Sequence, residues 1–475
     1  MVSIQAEQTQ EYYLNNRRAQ LFVVCVISFG AFMGPITLAT VNVALPTIAH
    51  ALNAKASLIG WIPTIFLLGS ISLMLPFSKL ADNIGRKKIY VSGMIVNTLG
   101  TIAATFAQDI YWLIACRFIQ GIASAMIFGC SMAILTSVFP PKQRGLPLGI
   151  NAFALYAGLA TAPLLGGWAT EYLGWRSVFW VQIPALLILI IAALQIRGEW
   201  KNPKPGKFDW KGTVIFGFWT LGLVVGLSGL PDPAHIVIFI AGIAALIWFA
   251  THESKTENPL VRLSLFSEHK SFTIALIATL FMYAAAYPVS IITSMYLQYI
   301  KDMPPSQAGN IMLLQAIAMA PLAPIAGKLS DKLNAGVIAA IGCAIACLSF
   351  FVYSSVGELT PVVIVSVAML GLGVGYGLFT TPNNNIAMHS IPQKELGAAA
   401  ALLNLARTTG NTIGMGVVTL FITYFIGSQP ITDKHHPELL LTVNLSMKMA
   451  AVYCLITFCL ILIIKIKQRH QQQKF

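Results

Sequence analysis

Apolar stretches long enough to cross a bilayer recur along this chain at short intervals. They begin near Leu21, Ser57, Ile89, Trp112, Leu146, Ser177, Thr213, His235, Ser271, Ser306, Gly336, Thr360, Leu396 and Leu445, about fourteen in all. The hydrocarbon core of a membrane takes ~20 residues of helix. Backbone in lipid must satisfy its own hydrogen bonds, which leaves helices and closed barrels. These runs lack the apolar–polar alternation of barrel strands, so helices are predicted throughout. Composition agrees: 56% of the 475 residues are hydrophobic and only 10% are charged, far below the charged share of a soluble surface. The chain is predicted to be an all-α integral membrane protein with 14 transmembrane helices.

The formal net charge of +13 does not point to nucleic acid, because Lys and Arg fall almost entirely in short connections between apolar runs. With the amino terminus inside and sides alternating, inner segments hold 23 of the 30 Lys and Arg and outer segments hold 5. Arg117 and Arg407 are the two within spans. A bias of this size orients a membrane chain and predicts both termini in the cytoplasm. The largest outer segment, 427–444, is too short for a domain, so a periplasmic adaptor finds no support in the sequence.

An internal echo gives the organisation. Lys-Leu-x-Asp follows the second span, ending at Asp82, and recurs after the tenth at Asp331, 249 residues later. A half of six short-looped helices needs roughly 180 to 200 residues, so about two further helices lie between the halves. Polar linkers at 197–212 and 252–270 bracket them. The expected domains are an N-terminal six-helix bundle at 1–198, an inserted helix pair with cytoplasmic linkers at 199–270, and a C-terminal six-helix bundle at 271–475.

Enzyme chemistry finds no footing. The seven cysteines lie in apolar runs with no CxxC pair, which predicts buried apolar residues and no metal site. None of the 17 Asp and Glu and none of the 8 His stands at mid-span, so a nucleophile would lack its base. No phosphate loop occurs, and "GLGVGYG" (371–377) lacks the spacing of a dinucleotide site. No cofactor is expected.

Four stretches carry mechanism. In "SKLADNIGRKK" (78–88), Asp82 and Arg86 are four apart and can pair on one helical turn. In "LIACRFIQGIASA" (113–125), Arg117 costs about 3 kcal/mol or more at the bilayer centre, so it should face a pathway or snorkel outward; Gln120 is one turn on. In "GLATAPLLGG" (158–167), Gly158, Ala162 and Gly166 repeat every four residues as a flat strip for helix packing. Pro163 removes one backbone hydrogen bond and predicts a kink. In "ATVNVALPTIA" (39–49), Asn42 and Pro46 interrupt an uncharged span.

With these stretches in this order, the chain resembles the fourteen-helix drug/proton antiporters of the major facilitator superfamily over nearly its whole length. The resemblance implies the major facilitator fold, two six-helix bundles plus two extra helices, in a bacterial inner or cell membrane. It implies that Ser78, Asp82, Gly85 and Arg86, with Asp331 of the second half, form a cytoplasmic gate that latches the bundles when the protein opens outward. Ser78 replaces the family's opening glycine. The strip Gly158, Ala162, Pro163, Gly166 and Gly167 matches the motif that goes with export by exchange. Thr37, Asn42, Pro46, Arg117, Gln120 and Arg407 are the implied pathway and coupling positions. Thr37 stands where the family commonly has an aspartate, so proton coupling through a central acid does not follow; the remaining candidates are Asp82, Asp109 or the substrate itself.

Arg117 and Arg407 therefore lack a carboxylate partner within the spans. The cavity is expected to be mildly positive and to favour neutral, zwitterionic or anionic amphiphiles. Trp61, Gln182, Tyr287, Gln298, Gln315 and Asn383 are candidate cavity residues, although each polar one taken singly reads as helix–helix glue before it reads as a ligand contact. The function expected is secondary active export of amphipathic small molecules, proton-linked, by alternating access. The alternative on the same fold is an importer or passive facilitator of a small, anionic solute.

Overall fold

The computed structural model describes residues 12, 13, 15–140, 143, 145–201, 206–392, 395–427 and 429–472; of Asp331 only the backbone is described. Fourteen long helical rods make up almost all of it. In the first half these are α1 (Arg17–Ala51), α2 (Ala56–Ile84), α3 (Arg86–Thr105), α4 (Ile110–Ser137), α5 (Gly145–Leu173) and α6 (Ser177–Leu194). α7 (Trp210–Ser228) and α8 (Pro233–Glu253) follow. The second half holds α9 (Lys270–Ile300), α10 (Pro305–Lys332), α11 (Ala335–Tyr353), α12 (Val362–His389), α13 (Leu396–Phe425) and α14 (His436–Gln472).

Among the described residues, 12 helices are long and apolar enough to cross a membrane. The two rods outside that set are α3 and α13. α3 opens on Arg86, Lys87 and Lys88, and α13 carries Asn404, Arg407 and Asn411. Their polar side chains lower the hydropathy of rods that still pack among the others.

Local sequence signals set many helix ends. Side-chain caps start α1 (Asn16), α4 (Asp109), α7 (Asp209), α8 (Asp232) and α11 (Asn334), each satisfying an orphan N–H. Asp109, a candidate proton carrier, thus spends an oxygen on the Trp112 amide at 2.8 Å. Prolines lie inside α1, α2, α5, α9, α10 and α12. A membrane helix tolerates them where neighbouring groups re-satisfy the freed backbone.

α1–α6 pack as one bundle and α9–α14 as another. Within the first, α5 lies along α1 on its small residues. A Cβ on Gly158 would come within 2.2 Å of the Phe32 carbonyl oxygen, and one on Gly166 within 2.5 Å of that of Thr40. Ala162, between them, is buried. α7 and α8 cross at Gly222 and Gly242. α7 touches both bundles: Thr220 and Ser72 of α2 lie 2.6 Å apart, oxygen to oxygen, and Leu227 lies against Gly416 of α13. On the cytoplasmic side by the charge bias, Tyr13 donates to the Arg197 carbonyl at 2.8 Å. Burial pushes its hydroxyl up to about 12, so it keeps that proton.

Candidate translocation pathway

The bundles meet along three helix pairs, α5 with α10, α2 with α13, and α1 with α9. Their bonds gather at and outside mid-depth. Thr64 and Thr419 lie 3.2 Å apart, and the Ala56 amide donates to Gln429 at 3.0 Å. Glu171, at the outer end of α5, accepts from the Ser306 amide at the start of α10 at 3.0 Å. Gly167 sits against the Pro305 carbonyl and Gly309 against that of Pro163. Among the described residues, the hydrogen bonds and close backbone approaches that join the two bundles thus lie at mid-depth and toward the outer ends.

The small-residue strip of α5 thus has two faces. Gly158, Ala162 and Gly166 hold α5 to α1 within one bundle, whereas Pro163 and Gly167 meet the opposite bundle.

The first-helix motif lies beneath the outer contacts. Pro46 has no N–H to give the carbonyl one turn back, and polar groups of α9 serve the disturbed stretch. Gln298 donates to the Val43 carbonyl at 2.8 Å, Ser294 to the same oxygen at 3.3 Å, and Asn42 donates to Ser290 at 2.8 Å. Tyr287 lies beside Asn42 and Arg117. Gln298, Asn42 and Tyr287 are therefore inter-bundle contacts.

Arg117 does not snorkel outward. It is 0% exposed. Its Nη1 donates to the Thr37 carbonyl at 2.9 Å and to Gln120 Oε1 at 2.8 Å, and its Nη2 to the Leu38 carbonyl at 3.4 Å. The Phe66 ring lies 4.5 Å beneath the guanidinium. Gln120 donates onward to Thr101 at 2.8 Å. Thr37, at the position where the resemblance leads one to expect an aspartate, donates to Gln182 Oε1 at 2.9 Å. Carbonyl oxygens substitute for a carboxylate, since a guanidinium offers donors only.

Arg407 is less deeply enclosed than Arg117. It is half-buried at mid-length of α13, with Nη2 donating to Asn384 at 3.0 Å and Nη1 to Asn404 at 3.4 Å. Its guanidinium lies 5.5 Å from the Tyr283 ring centre. Tyr156 reaches Tyr283 and Thr380 from the other bundle. Of the asparagine triplet, the residue that meets Arg407 is Asn384 rather than Asn383. Asn383 is 1% exposed and donates to Thr279 at 2.8 Å and to the Ala275 carbonyl at 3.1 Å, inside its own bundle. Trp61 falls at the outer end of α2, beside the Gly60–Thr419 contact, and belongs with the outer contacts. Gln315 is half-buried in mid-α10, with its backbone carbonyl against Gly373.

At the inner end of the first bundle, Asp82 and Arg86 pair at 2.8 Å. Arg86 also donates to Ser137 at 2.9 Å and to the Ala133 carbonyl at 3.3 Å, placing a cation at the end of α4. Gly85 has φ +133°, open to glycine and strained for other residues. A Cβ there would meet Glu199 at 2.5 Å. Glu199 accepts from the Lys87 and Lys88 amides at 2.8 and 3.2 Å, capping α3. The sequence offered no sign of that cap, because Glu199 lies 112 residues from Lys87. Ser78 backs onto Gly129 of α4. The side chain of Asp331 lies outside the described residues.

The chain belongs to the major facilitator superfamily, whose family model matches residues 27–415. It is 28% identical to the riboflavin transporter RibZ of Clostridioides difficile, over 91% of this chain and 95% of that one. It is also 28% identical to the multidrug resistance protein Stp of Mycobacterium tuberculosis, over 89% and 80%. The drug efflux pump JefA of the same organism is 26% identical over 86% and 82%. In fold, the chain matches a bacterial homologue of the human lysosomal transporter Spinster in its inward-facing, unoccupied conformation, with TM-score 0.69 and 16% identity, over 94% and 97% of the chains. A peptide transporter of the POT family gives 0.72 and 15%, over 94% and 96%. The protein is thus a membrane transporter and not an enzyme.

Proposed function

We propose that the chain exports amphipathic small molecules across a bacterial plasma membrane by alternating access, linked to protons, with 14 spans and both termini inside. The two bundles 1–198 and 271–475 rock about the seam, and the helix pair within 199–270 rides on α2 and α13. The observation that carries the reading is the bonded outer seam above a half-buried, mid-depth Arg407, the geometry of a carrier loading from the cytoplasm. The antiporter strip supports export, and so do the relatives named for drug efflux. The Asp82–Arg86 pair acts as the inner latch in the opposite state.

Expression in a drug-sensitive bacterial host should lower accumulation of a fluorescent amphiphile. An uncoupler should restore it. Accumulation that rises on expression and ignores the uncoupler would overturn export.

A second reading is an importer or facilitator of a small anionic solute. It is favoured by the Thr37–Gln182 bond, which fills with neutral groups the place of the usual acid. The relative named as a riboflavin transporter fits it as well.

A further inference from the structure

We propose that Arg407, Asn384, Asn404, Tyr283 and Tyr156 form a binding site for planar aromatic solutes that carry a carboxylate or an equivalent singly charged oxygen acid. It deepens the transport reading and rests on it only in that a ligand enters from the inner side.

Charge makes the first argument. Arg407 is held by two amide oxygens at 3.0 and 3.4 Å, and its Nε has no hydrogen-bond partner among the described residues. A guanidinium withdrawn from water is best satisfied by a bidentate anion, and no ion pair to Arg407 occurs among the described residues. Asn384 and Asn404 use their oxygens on the arginine, so what each has left is an amide donor pair. The site is rich in donors and short of acceptors. Arg117 differs here: its nitrogens spend themselves on the Thr37 and Leu38 carbonyls and Gln120, and it is fully buried.

Shape makes the second. Tyr283 of α9 lies under the guanidinium, and Tyr156 of α5 approaches from the opposite bundle; both are half-buried. A flat ring system that displaces the Tyr156–Tyr283 contact and takes its place gains aromatic contacts with both and keeps its acid group on Arg407. Because the rings come from different bundles, such a ligand also bridges the two bodies that must move.

Equilibrium binding to the purified full-length protein by fluorescence anisotropy tests the site without requiring transport. The probes are fluorescein, a xanthene with a free carboxylate, and rhodamine 6G, a cationic xanthene ester. Wild type should bind fluorescein more tightly. Arg407→Gln should weaken fluorescein about 10- to 100-fold, as for loss of hydrogen bonds to a charged group, and leave rhodamine 6G nearly unchanged. Arg407→Lys, which keeps the charge and loses the fork, should fall between. Tyr156→Leu, on the other bundle, should weaken both dyes. Tighter wild-type binding of rhodamine 6G, no binding of fluorescein, or equal effects of Arg407→Gln on both dyes would overturn the proposal. Intact fluorescein selectivity in a protein that fails the accumulation assay would remove export and leave this site standing.

Discussion

Thr37 Oγ1 donates to Gln182 Oε1 at 2.9 Å, tying α1 to the start of α6 one residue before Leu38 gives its carbonyl to Arg117. The Thr37 side chain is therefore held by a neutral partner, while Arg117 takes the backbone carbonyl of the same residue. Thr37→Asp should be accepted, because Arg117 is already within reach of the Thr37 backbone. It should add a further, acid-range step to the pH dependence that proton-linked wild-type export already has, read as flux against external pH for the two proteins side by side. Thr37→Val should cost about 1–3 kcal/mol, because it leaves Gln182 Oε1 buried without its donor, measured as a fall in Tm.

Arg117 should matter for structure and not for substrate charge. Arg117→Ala leaves Gln120 and two carbonyl oxygens without their donor. A loss of about 2–4 kcal/mol is expected, seen as a clear drop in Tm of the purified protein. Transport of anionic and cationic dyes should fall together. Selective loss of the anionic dye would return Arg117 to the pathway.

The glycines of the small-residue strip of α5 should separate into two phenotypes. Gly166→Ala pushes on the Thr40 carbonyl inside one bundle and should lower Tm. Gly167→Ala pushes on Pro305 in the other bundle. It should leave Tm nearly unchanged and open the outer seam, read as faster hydrogen exchange in the first turns of α10. Equal effects of both on Tm would contradict the two-faced strip.

At the inner turn, Glu199→Ala removes the cap of α3 and should cost about 1 kcal/mol. Gly85→Ala should cost more, because a strained φ and a 2.5 Å approach to Glu199 act together. Thermal melts of the two single variants and the double variant check this. Part of the Gly85→Ala penalty should vanish when Glu199 is already alanine.

The long apolar helices and the small-residue face that α5 turns to α1 were legible because they depend on residue type at fixed spacing along one helix. What the sequence hid depends on rotation and depth set by other helices. Asn383, Asn384 and Asn385 are adjacent in sequence, yet one is core glue, one holds Arg407 and one bonds Ser330. Helix phase decides among them, and only packing against α9, α13 and α10 fixes it. Arg117 looked like a cavity cation because its acceptors are backbone carbonyls, which no residue pattern displays. Trp61 read as a cavity wall for want of a depth coordinate. Glu199 sits beside Lys87 only through the folding of the whole first bundle.

Flux in proteoliposomes with an imposed pH gradient tests proton-linked export most directly. The account predicts that a fluorescent amphiphile moves uphill against its own gradient, and that a protonophore abolishes the movement. Downhill equilibration at the same rate with and without the pH gradient would contradict it and leave a facilitator.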